Sequence, residues 1–362
     1  MYDIIIVGAG PSGSALASLL DKKFKVLILD KRPVLYNGIA EQLMTANDDI
    51  LNGKCCGGML APNAQKALAQ ARWSLPKDIL VSPQVYALKI LDLKSNLQRL
   101  YPKNYININR QKFDKWLLDK AGKNATIVQD AVYKKSEKIS DGYRVIYEKN
   151  GKLVSEETRI LIGADGSNSK VRKEFFNDVK MPKQYAAIQE WYKTQMPEPY
   201  YYGIADSNVT NFYSWIIPKE NYLIFGSAMN DLKNANQKFN LLKDKLKKQG
   251  FSFNKEDFVK KEGSIILRPT SLKQIALVKN DVALIGEASG IISPSSSEGI
   301  GYALRSAVML AEELNKDKNN ALKNYKKKAK KLGAKIFDNL SDEYACLGKS
   351  EDSNDRIEEI NC

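Results

Sequence analysis

Two short apolar runs at opposite ends of the chain each stop at a glycine-rich turn. That pairing restricts the fold more than any other feature. The first is Ile4-Ile5-Ile6-Val7, followed by Gly8-Ala9-Gly10-Pro11-Ser12-Gly13. The second is Val282-Ala283-Leu284-Ile285, followed by Gly286-Glu287-Ala288-Ser289-Gly290. A short apolar run bounded by glycine suits a strand covered on both faces. Each segment therefore reads as a buried parallel strand that ends in a turn and opens a helix.

In the first segment the three glycines have separate tasks. Gly8 permits the tight turn, Gly10 lets backbone approach a pyrophosphate, and Gly13 lets the next helix pack close to the sheet. Pro11 and Ser12 complete the turn. The helix is expected over residues 14–20, and its N-terminal N–H groups suit phosphate oxygens. A second strand, Lys25-Val26-Leu27-Ile28-Leu29, ends at Asp30. That acid falls about 20 residues past the glycines, where a carboxylate accepts ribose hydroxyls. Lys31 and Arg32 follow it and could reach a phosphate.

A third apolar strand, Arg159-Ile160-Leu161-Ile162, runs into Gly163-Ala164-Asp165-Gly166, with Ser167, Ser169, Lys170 and Arg172 beyond. By itself this is an ordinary strand–turn–helix start. A nucleotide held only by its phosphates needs the first glycine segment alone. A flavin, gripped also at its ribityl chain and ring, needs the late segment too. The expected cofactor is FAD.

The three segments together resemble the FAD oxidoreductases related to para-hydroxybenzoate hydroxylase. The stretch GEASGIISPSSSEGIGYALRSA is similar to the geranylgeranyl reductase branch, which has Gly-Asp-Ala-Ala-Gly, a Ser-Pro and then Glu-Gly-Ile before a helix. Lys54-Cys55-Cys56-Gly57-Gly58-Met59-Leu60-Ala61-Pro62 looks like the Cys-Gly-Gly loop of that branch. It is similar also to flavoproteins that mature quinone-cofactor amine oxidases. Asn109-Arg110-Gln111, with Phe113, Trp116 and Leu117, resembles the family's arginine-bearing helix start near FAD. The matches run from residue 1 to about 310. Glu287 stands where the family usually has Asp, one methylene longer.

The resemblance implies an α/β fold: a Rossmann-like FAD-binding domain of the glutathione-reductase type, an inserted, mostly antiparallel substrate sheet, and a C-terminal helix. It implies cofactor contacts from Gly8, Gly10, Pro11, Ser12, Gly13, Asp30, Lys31, Arg32, Arg110, Asp165, Gly286 and Glu287. Gly299, Ile300 and Gly301 would meet the flavin ring at the start of a helix near Ile300, whose N–H groups stabilise negative charge on reduced flavin. Ser295 to Ser297 could donate to ring or substrate, or cap that helix, with Ser297 the best-placed cap. The Cys55–Cys56 loop would lie over the flavin on its substrate side. There a thiol donates a proton or holds substrate; the plainer alternative is a small buried pair. Adjacent cysteines would form a strained ring, so no disulfide is expected between them.

Composition sets outer limits. With 362 residues the chain can build a sizeable core. It contains no histidine, which excludes a Ser-His-Asp triad and a conventional zinc site. No run of about 18 apolar residues suggests a membrane span, and the N-terminal apolar run is itself the first strand, so a cytoplasmic protein is expected. The net charge of +14 comes mainly from lysine. It reads as a solubilising surface, or as a field that attracts anionic cofactors, an acidic partner or a membrane face. No nucleic-acid motif is present.

Along the chain, residues 1–80, 107–180 and 271–315 are assigned to the FAD domain, and 81–106 and 181–270 to the substrate domain. Asn150-Gly151 between two strand-like runs signals a hairpin. The aromatics between Trp191 and Phe225 are expected mostly as sheet core. Residues 316–349 form a helical region, with Leu322, Tyr325, Ala329, Leu332 and Ile336 on one face and lysines elsewhere. That helix packs on the body or contacts a membrane or partner. Residues 350–362 are a polar tail. Three activities fit: a monooxygenase using NAD(P)H as transient donor and O2, an alkene reductase with hydride from the flavin, and a maturation factor acting on a partner protein. The substrate is a small molecule or a protein side chain.

Overall fold

The computed structural model describes residues 1–32, 54–194 and 198–338. The tail beyond them, with Cys346 and Cys362, lies outside the described residues. Two sheets carry the fold. In the first, β1 (Tyr2–Val7), β2 (Val26–Leu29), β6 (Thr126–Val128), the inner half of β9 (Lys152–Gly163) and β16 (Val282–Leu284) run parallel. Their order is β16-β9-β1-β2-β6, with β15 (Val278–Lys279) antiparallel at the β16 edge.

The apolar run at the N-terminus is explained by what covers it. Ile4 and Ile6 point into a core shared with α1 (Pro11–Leu19), α3 (Arg110–Ala121) and α6 (Ile300–Lys316). Ile5 and Val7 point the other way, toward Tyr133 of β7 (Ala131–Ile139), Val145 of β8 (Gly142–Lys149) and Val171 of α4 (Lys170–Phe175). Both faces are buried, so the strand has no polar side. In β9 the pattern changes along its length: the outer half alternates and pairs antiparallel with β8, and the inner half is continuously buried. The β8–β9 turn at Asn150 and Gly151 has positive φ at both residues, as a two-residue hairpin requires.

The second sheet has the order β14-β10-β13-β12-β11-β4-β5-β3. Its strands are β3 (Met59–Leu60), β4 (Val85–Asp92), β5 (Leu97–Asn107), β10 (Lys183–Lys193), β11 (Tyr200–Ala205), β12 (Ser214–Lys219), β13 (Tyr222–Met229) and β14 (Phe258–Arg268). Neighbours are antiparallel except β11 with β4. One face is covered by α5 (Ala235–Lys248) through Phe239, Leu242 and Leu246. The opposite face carries Tyr185, Trp191, Tyr213, Trp215 and Ile217, with Met59 packed on it.

Two helices complete the described chain: α2 (Pro62–Gln70) and α7 (Ala321–Asp338). Helix α7 buries Tyr325, Ala329, Leu332 and Ile336, and the Tyr325 hydroxyl donates to Leu284 O at 2.8 Å. Each large apolar side chain so buried contributes about 1.5–3 kcal/mol. Lys323, Lys326, Lys327 and Lys330 stay exposed on the other side. The apolar stripe read from the sequence is thus the docking face, tied to the end of β16.

Local structure differs from expectation at two places. Helix α1 starts at Pro11 rather than Ser14, because proline is well suited to a first helical position. The late glycine segment opens a single 3-10 turn, Gly286–Ser289, not a helix. Gly290 ends that turn at φ 85°, and α6 begins only at Ile300.

Candidate cofactor and active site

The register brings three strand ends to one level. Val7 pairs with Gly163, and Leu284 pairs with the same Gly163 from the other side. The three glycine turns therefore emerge side by side. A Cβ on Gly8 would lie 2.5 Å from Ala164 O, and one on Gly286 would lie 2.7 Å from Ser12 Oγ. A Cβ on Gly13 would overlap Gly8 O. Around Gly10, by contrast, a Cβ would meet nothing within 4 Å among the described residues. Gly8, Gly13 and Gly286 are thus glycines because protein surrounds them. Gly10 is bounded by open space, on the side where a pyrophosphate would approach the N-terminus of α1.

Asp30 follows Leu29, which pairs with Val7, so it stands at the same edge. It is buried and heavily engaged. Its Oδ2 accepts from Ala9 N at 2.5 Å, and its Oδ1 accepts from Arg32 N at 2.8 Å and Arg32 Nε at 3.0 Å. Arg32 also donates to Ala9 O and to Asp114. Asp114 in turn holds Arg110 through Nε at 2.9 Å, one helical turn earlier on α3. Lys31 is exposed. Asp114 was not singled out by the sequence reading, although an acid four residues after Arg110 is the signature of a helical ion pair.

At the other end, Asp165 uses Oδ2 to accept Lys170 N at 2.7 Å and Val171 N at 3.3 Å, so it helps to cap α4. Its Oδ1 is buried without a partner among the described residues, and burial pushes this carboxyl above the usual range. Glu287 is partly buried and accepts Leu267 N at 2.9 Å through Oε1. Burial raises it too, against the pull of Lys54 and Arg110. Behind this turn the fully buried Arg172 donates to Ala288 O and Gln274 O, fixing the late glycine segment to the sheet.

The N-cap of α6 is Gly299, with no side-chain cap. Ser297, expected as the cap, instead adopts φ 51°, and its buried hydroxyl has no partner among the described residues. The reason is the preceding loop. Ser293 Oγ already meets Ser295 and Ser296, and Ser297 N donates to Ser293 O, which turns Ser297 away from the helix start. The loop is pinned to the second sheet by Arg268, which donates to Pro294 O at 2.9 Å, and by the Tyr213 hydroxyl, which donates to Ser296 O at 2.5 Å. Gly301 lies close against Asn63 and Ala64 at the start of α2.

Cys55 and Cys56 are both free and partly exposed, on the loop entering β3. Burial, then Glu262 and Cys56, push the Cys55 thiol well above its ordinary value. Glu262 is itself held by Gln189 Nε2 at 2.6 Å, Trp191 Nε1 at 2.8 Å and Lys260 Nζ at 2.8 Å. Cys56 lies within hydrogen-bond reach of the Arg110 guanidinium. A cavity of about 10 Å3 is lined by Cys56, Gly58, Arg110, Trp191 and Lys219 among others. That is room for one water molecule. A much larger groove of about 1200 Å3 lies over Tyr192, Tyr202 and Ile216, on the α5 face of the second sheet and away from this loop.

Arg32 and Asp114 link Asp30 to Arg110, Arg110 reaches Cys56, and Arg110 and Lys54 act on Glu287, so the first turn, the arginine-bearing helix start, the cysteine loop and the late glycine turn lie together. The space at Gly10 and the unpaired oxygens of Asp165 and Ser297 fit a long polar cofactor. Such an arrangement defines a dinucleotide-binding flavoprotein. The chain belongs to the FAD binding domain family, which it matches over residues 1–340, and it is an FAD-dependent oxidoreductase. It is 37% identical over 336 residues to Protein CbrA of Escherichia coli strain K12, covering 93% of this chain and 90% of that protein. Among solved structures, a geranylgeranyl bacteriochlorophyll reductase-like protein from Thermoplasma acidophilum superposes with a TM-score of 0.75 at 16% identity, covering 94% of this chain and 87% of that one. P. aeruginosa PqsL, in complex with 2-aminobenzoylacetate, gives 0.66 at 15%, covering 95% and 97%. The flavin-dependent halogenase CmlS gives 0.68 at 16%, covering 99% and 68%. At these identities the structures share the fold. Among the described residues no helix is long and apolar enough to cross a membrane, and no cluster could hold a metal ion.

Proposed function

We propose that this chain is a cytoplasmic flavin monooxygenase that uses NAD(P)H and O2 to hydroxylate an aromatic or otherwise electron-rich substrate. The observation that carries this reading is the aromatic face of the second sheet, against which the cysteine loop and the Ser293–Ser297 loop both lie. Trp191, Tyr213 and Trp215 are buried there, with Tyr201, Phe212 and Tyr222 packed against them. A flat aromatic face selects a flat apolar substrate and keeps water from the reacting centre. Bound FAD supplies the redox chemistry. The protein's part is to hold the phosphates at Gly10 and the α1 N-terminus. It also presents the Ser297 hydroxyl and the α6 N–H groups to the ring, and seats substrate against the aromatic face.

A second reading, alkene reduction, is favoured by the likeness in fold to the geranylgeranyl bacteriochlorophyll reductase-like protein, at a TM-score of 0.75. Mixing separates the two. The protein is reduced anaerobically with NADPH or NADH and then mixed with aerated buffer. A new absorbing species that precedes the return of oxidised flavin supports oxygenation. Direct return with peroxide release, together with anaerobic reoxidation by geranylgeraniol, contradicts it and supports reduction.

A further inference from the structure

Lys219 ends β12 inside the protein, at 1% exposure, and among the described residues no carboxylate lies within ion-pair distance of its ammonium. Burying a charge without a counter-charge costs several kcal/mol. A methionine would fill the same volume without that cost. The ammonium is instead held by three oxygens: Asn107 Oδ1 at 2.5 Å, Ile108 O at 2.8 Å and Gly58 O at 3.2 Å. Three acceptors match the three protons of a charged lysine. The Asn107 amide is itself fixed, since its Nδ2 donates to Pro83 O and Pro218 O, each at 2.9 Å.

The owners of these oxygens matter. Gly58 belongs to the cysteine loop. Ile108 immediately precedes Asn109, the side-chain cap of α3, and Arg110. Gly58 has φ 63°, and a Cβ there would lie 2.7 Å from Lys219 Nζ and 2.6 Å from Ile108 O. Loop and lysine therefore fit only with glycine at this position. Lys219 also lines the small cavity with Cys56 and Arg110.

We propose that Lys219 is a positioning residue that clamps the Cys55–Gly58 loop to the start of α3, setting Cys56 and Arg110 beside the late glycine turn where the flavin would bind. Its bearing on catalysis rests on the FAD reading above; the clamp itself does not. Cys56 and Lys54 face Lys219 from the loop, Arg110 from α3, and Glu220 from the adjoining turn.

Hydrogen–deuterium exchange on the purified chain, as isolated, tests the clamp whatever reaction the enzyme performs. In Lys219→Met the peptide spanning residues 54–60 should exchange about tenfold faster, the loss expected for hydrogen bonds to a charged group. Peptides over β1–α1 should be unchanged. Unchanged exchange in the loop overturns the proposal. So does equal acceleration everywhere, which would make Lys219 an ordinary structural residue. Should the variant not fold, wild type decides. Raising pH from 6 to 9 removes one of the three protons, so loop exchange, corrected for its intrinsic rate, should rise above that of β1–α1; no such rise overturns the clamp.

Discussion

Gly286 and Ser12 stand near opposite ends of the chain and in direct contact: a methyl group on the glycine would fall 2.7 Å from the serine hydroxyl oxygen. No local interaction produces this. It follows from β16 pairing with β9 and β9 with β1, so that three turns share one edge.

Two glycines of the first turn should separate folding from binding. Gly13→Ala places a methyl on Gly8 O, and the overpacking should cost about 1–3 kcal/mol. Gly10→Ala has open space and an ordinary φ of −70°. It should unfold within about 0.5 kcal/mol of wild type yet bind FAD about tenfold more weakly or worse, because backbone approach to the pyrophosphate is lost. Thermal unfolding and FAD titration of both variants check this. Equal effects of the two substitutions on stability would contradict it.

Cys55 should resist alkylation in the native protein. Its thiol is partly exposed, but burial and Glu262 hold it protonated, and the thiolate is the reactive form. Iodoacetamide at pH 8, followed by peptide mass spectrometry, should leave Cys55 unmodified in native protein and modified after denaturation. Rapid native labelling would show that its surroundings stabilise the thiolate.

Lys219 should make stability depend on pH with a definite sign. Burial pushes it down to about 7 from an ordinary 10.5. Between those values the unfolded chain holds the extra proton, so this group's contribution to stability rises with pH across the window. The difference in urea resistance between Lys219→Met and wild type should shift in favour of wild type as pH rises from 6.5 to 9. A gap independent of pH would contradict the shift.

Much of this was legible because the fold's hardest constraints are local in sequence. Apolar runs ending at glycine mark strands buried on both faces, and β1, β9 and β16 are such strands. The stripe from Tyr325 to Ile336 likewise announced the buried face of α7. What stayed hidden depends on long-range placement. Lys219 was not singled out in the sequence, because nothing near it in the chain signals that Asn107 and Gly58 will enclose the lysine. Ser297 looked like a helix cap because caps are recognised by residue type, whereas the loop's own serine network decided its conformation. Asp30 was read for ribose, but Arg32, two residues on, takes up part of its carboxylate.

The convergence of three strand ends on one flavin is tested most directly by counting cofactor. Purified protein, freed of nucleotide and titrated with FAD, should take up one FAD per chain and release it on unfolding. A folded chain that stays colourless and shows no saturable uptake would contradict the account.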